Sequence, residues 1–72
     1  MEEEFNKLKI HFGSEKGADQ LTFSQFVALP DARAEKLLNR ESVRDDIAGR
    51  LAEMRVLGKN LLLKQAQSST GM

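Results

Sequence analysis

The chain has no cysteine, no tryptophan and no tyrosine, and its 72 residues include a single proline. Without cysteine there is no disulfide framework and no thiolate metal site. Without tyrosine and tryptophan, the side chains most enriched at interface hot spots are missing. Net charge is zero, so the strong basic excess of a dedicated nucleic-acid binder is absent. No apolar run approaches the length of about 20 residues needed to span a membrane. The N-terminus, Met1-Glu2-Glu3-Glu4, is acidic rather than basic then apolar, so it is no signal peptide. These absences point to one small soluble domain in the cytoplasm. A chain of this length buries only roughly 60% of its unfolded surface, which favours borrowing stability from a partner or a second copy.

What is present is helical. Residues 42–67, SVRDDIAGRLAEMRVLGKNLLLKQAQ, form the longest stretch compatible with one element. Val43, Ile47, Leu51, Met54, Leu57 or Gly58, and Leu61 advance in steps of three and four, the period of one buried helix face. Ser42 with Asp45 offers a capping box at its start. Gly49 and Gly58 each cost about 1 kcal/mol against alanine in a helix interior. Gly49 is expected to admit a neighbouring helix, and Gly58 is the place where the helix would break.

Three shorter elements precede it. Residues 2–12 place Phe5, Leu8 and Phe12 on one stripe behind three glutamates that favour the positive end of the helix dipole, and Gly13 stops them. Thr22 and Gln25 make a capping-box pattern that opens a helix near Phe23, with Phe23, Phe26 and Val27 inward. Pro30 ends it. Asp31 then caps a third helix, 32–38, with Ala34, Leu37 and Leu38 inward. The expected fold is all-α: short helices at 3–12, 23–29 and 32–38 laid on a long helix at 43–67, in one domain of residues 1–67 with a disordered tail at 68–72. The expected core is Phe5, Leu8, Phe12, Leu21, Phe23, Phe26, Leu37, Leu38, Ile47, Leu51 and Met54.

The segment GADQLTFSQF, residues 17–26, following FNKLKIHF, resembles the second half of an EF-hand. The resemblance spans residues 5–29 and is nearest to degenerate members, such as those in the matrix-side domains of mitochondrial aspartate/glutamate carriers. It implies a short β-bridge at Leu21. It does not imply calcium, because the ligand positions hold Ser14, Lys16, Ala18 and Gln25, and the glycine position holds Asp19.

No catalytic, cofactor or metal site emerges. His11 is the only histidine, with no second ligand in view. Ser14 and Ser24 occupy turn and cap positions, and Asp45 and Asp46 diverge on a helix while favouring its dipole. Two surfaces remain. Arg50, Met54, Leu57, Leu61, Leu62 and Lys64 on the long helix form a candidate protein-binding or homodimer face, with basic residues that would steer an acidic partner. Arg33, Lys36 and Arg40, within a helix-turn-helix-like stretch at 22–40, are candidate phosphate contacts to DNA. The preferred expectation is a non-enzymatic interaction or regulatory module. Phage- or plasmid-type regulators and inhibitors are of this size. The alternative is a small helix-turn-helix transcriptional regulator.

Overall fold

A computed structural model describes residues 1–70, with side chains through Gln65. The chain is all-α, and no strand occurs among the described residues. Helix α1 spans Glu2–Leu8 and tightens into a 3-10 turn at Lys9–Phe12. Further 3-10 geometry covers Glu15–Gln20. Helices α2 (Phe23–Ala28), α3 (Asp31–Leu38) and α4 (Asp45–Thr70) follow. The expected tail at 68–72 lies in part outside the described residues.

The four phenylalanines make the centre of the molecule. Phe5 stacks on Phe26 with ring centroids 5.2 Å apart and lies 5.5 Å from Phe23 and 6.4 Å from Phe12. Phe12 meets Phe26 at 5.8 Å. Leu51 and Met54 of α4 close the cluster, both fully buried. Ala18, Ala34 and Val43 complete it, with Leu8, Leu21, Leu37, Leu38 and Ile47 packed on its flanks. Helices α1, α2 and α3 all pack against α4, which therefore serves as the spine.

Local chemistry explains the breaks. Gly13 (φ 80) and the pair Lys16 (φ 56) and Gly17 (φ 70) take left-handed backbone, which reverses the chain between α1 and α2. The capping box at α2 is complete: the Gln25 amide donates to Thr22 Oγ1 at 3.1 Å, and the Thr22 amide donates to Gln25 Oε1 at 3.0 Å. Leu29 and Pro30 are extended, as the missing amide hydrogen of proline and its clash with the preceding residue require. Orphan carbonyls at the loop ends find side-chain donors. Lys9 Nζ donates to the Leu21 carbonyl at 3.0 Å, and Arg40 Nη1 to the Phe12 carbonyl at 2.7 Å.

Several boundaries differ from the sequence expectation. Ser42 does not cap α4; its hydroxyl donates to the His11 carbonyl, and the helix opens only at Asp45. Val43 is thus buried from the connecting segment rather than from the helix. Asp31 does not cap α3 either; it is the first helical residue, and its carboxylate turns to Arg55 and Lys59. The close approach expected at Gly49 falls at Gly58 instead. The helix runs unbroken through Gly58, where a Cβ would lie 2.7 Å from Val27 Cγ2 and 2.9 Å from Phe23 Cζ. A Cβ at Gly49 would meet nothing within 4 Å. Gly58, not Gly49, is where α2 approaches α4.

This predicts opposite signs for one substitution. Gly49→Ala should stabilise the chain by about 1 kcal/mol through helix propensity alone. Gly58→Ala gains the same propensity but must displace buried, stiff Val27, an overpacking cost of about 1–3 kcal/mol. Urea denaturation of the two variants checks this. A midpoint raised by Gly58→Ala as much as by Gly49→Ala would contradict the close approach.

Candidate functional site

Three basic residues of α4, Arg50, Arg55 and Lys59, are engaged inside the molecule. Arg50 makes a bidentate pair with Glu4, Nε and Nη2 lying 2.6 and 2.7 Å from its carboxylate oxygens, and also reaches Glu53 at 3.1 Å. Arg55 is buried at 6% exposure. Its guanidinium donates to the carbonyls of Val27 and Leu29, and to Asp31 at 2.9 Å. It thereby caps the C-terminal end of α2 and anchors the start of α3. Lys59 meets the same Asp31 carboxylate at 2.9 Å. Of the candidate partner residues, Arg50 is tied to α1 and Met54 is fully buried in the core. Met54 is thus closed to a partner, while Arg50 is half-exposed.

The remaining candidates lie together at the distal end of α4. Leu57, Leu61 and Leu62 are 41, 49 and 52% exposed, and Val56 and Leu63 in the same turns 58 and 60%. Lys64 is exposed at the same end. Met1, Leu57, Asn60, Leu61, Leu63 and Lys64 line an open concavity there. At about 100° per residue, Leu61 and Leu62 continue the stripe of Leu51, Met54 and Gly58 beyond the last residues of α2 that cover it. Val56 and Leu63 lie on roughly the opposite side. The distal helix is therefore apolar around most of its circumference, a pattern characteristic of helices buried on all sides.

The other candidate residues also converge. Arg33, Lys36 and Arg40 line one cleft of about 360 Å³ between α3 and the turn before α2. Lys16, absent from the sequence expectation, joins them from that turn, and Ala18, Leu21, Leu29 and Leu37 form the floor. Among the described residues no cluster of His, Cys, Asp and Glu is arranged to hold a metal ion, and no helix is long and apolar enough to cross a membrane. Within the helix-turn-helix-like stretch, Ala28 is exposed and Val27 is buried. Leu21 is extended (φ −62, ψ 140), with no bridge partner among the described residues.

Two carboxylates are held below the usual range. Glu4 is lowered by its hydrogen bonds from Arg50 and the nearby positive charges of Arg50 and the N-terminus. Asp31 is lowered by its hydrogen bond from Lys59 and the charges of Lys59 and Arg55. A carboxylate with a depressed folded pKa contributes stability above its unfolded pKa, and that contribution disappears as pH falls through the folded value. Melting temperature should thus drop as pH falls below about 4. The double variant Glu4→Gln/Asp31→Asn should show a flatter decline in thermal melts across that window. An unchanged slope would contradict the assignment.

No protein-family model, curated protein or solved structure matches the chain. Nothing in those comparisons or among the described residues identifies an EF-hand-like segment.

Proposed function

We propose that this chain is a non-enzymatic protein-interaction or regulatory module of the cytoplasm that pairs with a second copy of itself through the distal part of α4. The observation that supports this is the set of five aliphatic side chains, Val56 to Leu63, left exposed around a helix that continues past the helices packed on it. The molecule measures 45 Å along its longest axis and only 24 and 23 Å across. A helix of 26 residues spans about 39 Å, so α4 sets the long axis. A lone protruding helix gains little in water without a packed face.

Charge favours self-association over a strongly charged partner. Between Val56 and Gln65 the only charged residues are Lys59 and Lys64, and Lys59 is already paired with Asp31. Each leucine fully removed from water contributes roughly 1.5–3 kcal/mol, counted on both copies of a two-fold contact. Such an interface depends little on salt. Sedimentation at several concentrations, in low and in raised salt, should show a monomer–dimer equilibrium that salt leaves intact. A chain monomeric at every concentration would overturn the reading.

One observation favours a second reading, a small helix-turn-helix DNA-binding regulator: Arg33, Lys36 and Arg40 share a cleft. It requires duplex binding that weakens steeply with salt. The apolar floor of that cleft offers a duplex nothing to bind, which places this reading second.

A further inference from the structure

We propose that the cleft between α3 and the turn at Glu15–Gln20 docks a short acidic peptide segment bearing an aliphatic anchor side chain. The cleft is separate from the distal surface of α4, so this inference stands or falls apart from self-association.

Four cations, Lys16, Arg33, Lys36 and Arg40, surround the opening, and among the described residues no carboxylate lines it. Lys16, Arg33 and Lys36 are exposed and make no ion pair among the described residues. Arg40 donates to the neutral carbonyl of Phe12, which leaves its charge uncompensated. Among the nearby acids, Asp31 is taken by Arg55 and Lys59 from the α4 side, Glu35 lines the hollow on that same side, and Glu15, Asp19 and Glu41 do not line the cleft. Like charges gathered around a low-dielectric floor focus a positive potential into the cleft.

Two features select the ligand. The volume of about 360 Å³ lies near the lower end of ordinary ligand pockets, and its leucine floor asks for an apolar side chain. The number of cations asks for more than one anion. A single-headed amphiphile would fill the floor but leave most of the rim uncompensated. A duplex would meet the rim and leave the floor empty. A peptide with an aliphatic residue flanked by aspartate or glutamate satisfies both. Its bound state resembles other motif-reading sites, in which a pocket sets specificity and a cationic rim sets encounter rate and register.

The test uses fluorescence anisotropy on the full chain. The probe is a fluorescein-labelled peptide of about ten residues in which leucines alternate with glutamates. A second probe replaces the leucines with serine, and a third is a labelled DNA duplex. The native chain should bind the first probe in low salt. The variant Arg33→Ala/Lys36→Ala should bind it at least about tenfold more weakly, and the native chain should bind the serine probe more weakly by a similar factor. Both substituted side chains are exposed, so circular dichroism should show the variant's helix content unchanged. Amide resonances of Leu21 and Leu37 should shift on titration with the first probe, and Leu61→Asp should leave this binding intact. Equal affinity for leucine and serine probes would overturn the proposal by reducing it to charge attraction. Preference for the duplex, or no binding to any probe, would overturn it as well.

Discussion

Arg55→Ala is expected to lose most of the chain's stability. The side chain is buried on the inner edge of α4 and binds the carbonyls of Val27 and Leu29 together with the Asp31 carboxylate. Its removal opens a cavity and leaves the end of α2 without donors. Each carbonyl left without its donor costs about 1–3 kcal/mol, on top of the lost packing of the Arg55 stem, while the exposed Asp31 keeps Lys59. A domain of this length has a total stability of only about 4–11 kcal/mol. Thermal and urea denaturation followed by circular dichroism should show a largely unfolded or very labile variant. Arg55→Lys should fall between, because an ammonium cannot fork to two carbonyls and a carboxylate. Arg50→Ala, which removes a half-exposed pair with Glu4, should cost far less. A fully stable Arg55→Ala would mean that the segment from Val27 to Asp31 is held by packing alone.

Leu61→Asp is the second large effect, and it should act on assembly rather than on folding. Leu61 is half-exposed, so an aspartate there remains hydrated in the monomer. In a two-fold interface the substitution places two carboxylates in the apolar contact, since the same patch is used by both copies. Dimer affinity should fall at least about a hundredfold, while the melting curve of the dilute chain stays close to native. Ile10→Asp is the matched control: Ile10 is 64% exposed and lies in the 3-10 turn after α1, away from distal α4. It should leave self-association unchanged.

The architecture was legible from periodicity and punctuation. The spacing of Ile47, Leu51 and Met54 located the buried face of α4, and Thr22, Gln25 and Pro30 bounded α2, because these signals act within a few residues of where they sit. What depends on distant contacts was not legible. Asp31 looks like a cap, and only Arg55 and Lys59, 24 and 28 residues away, turn its carboxylate from that role. Ser42 is diverted in the same way by the His11 carbonyl. Gly49 and Gly58 are identical to any local rule, and the packing of Val27 and Phe23 alone distinguishes them.

The candidate sites divide along the same line. Leu57, Leu61 and Leu62 could be found because the apolar pattern outlasts the helices available to cover it. The burial of Arg55 has no local signal beyond its place four residues after Leu51 and three before Gly58, on the edge of the buried stripe. Lys16 joins Arg33, Lys36 and Arg40 only through the left-handed pair at Lys16 and Gly17, and no sequence spacing connects them.

The solution mass of the native chain and of Leu61→Asp, measured side by side from micromolar to near-millimolar concentration, decides whether distal α4 is a two-fold contact. Pairing through distal α4 requires a native mass rising toward twice the 8.1 kDa of one chain, with the variant folded and monomeric throughout. A native chain that stays at 8.1 kDa, or a variant that dimerises as well as the native, would contradict it.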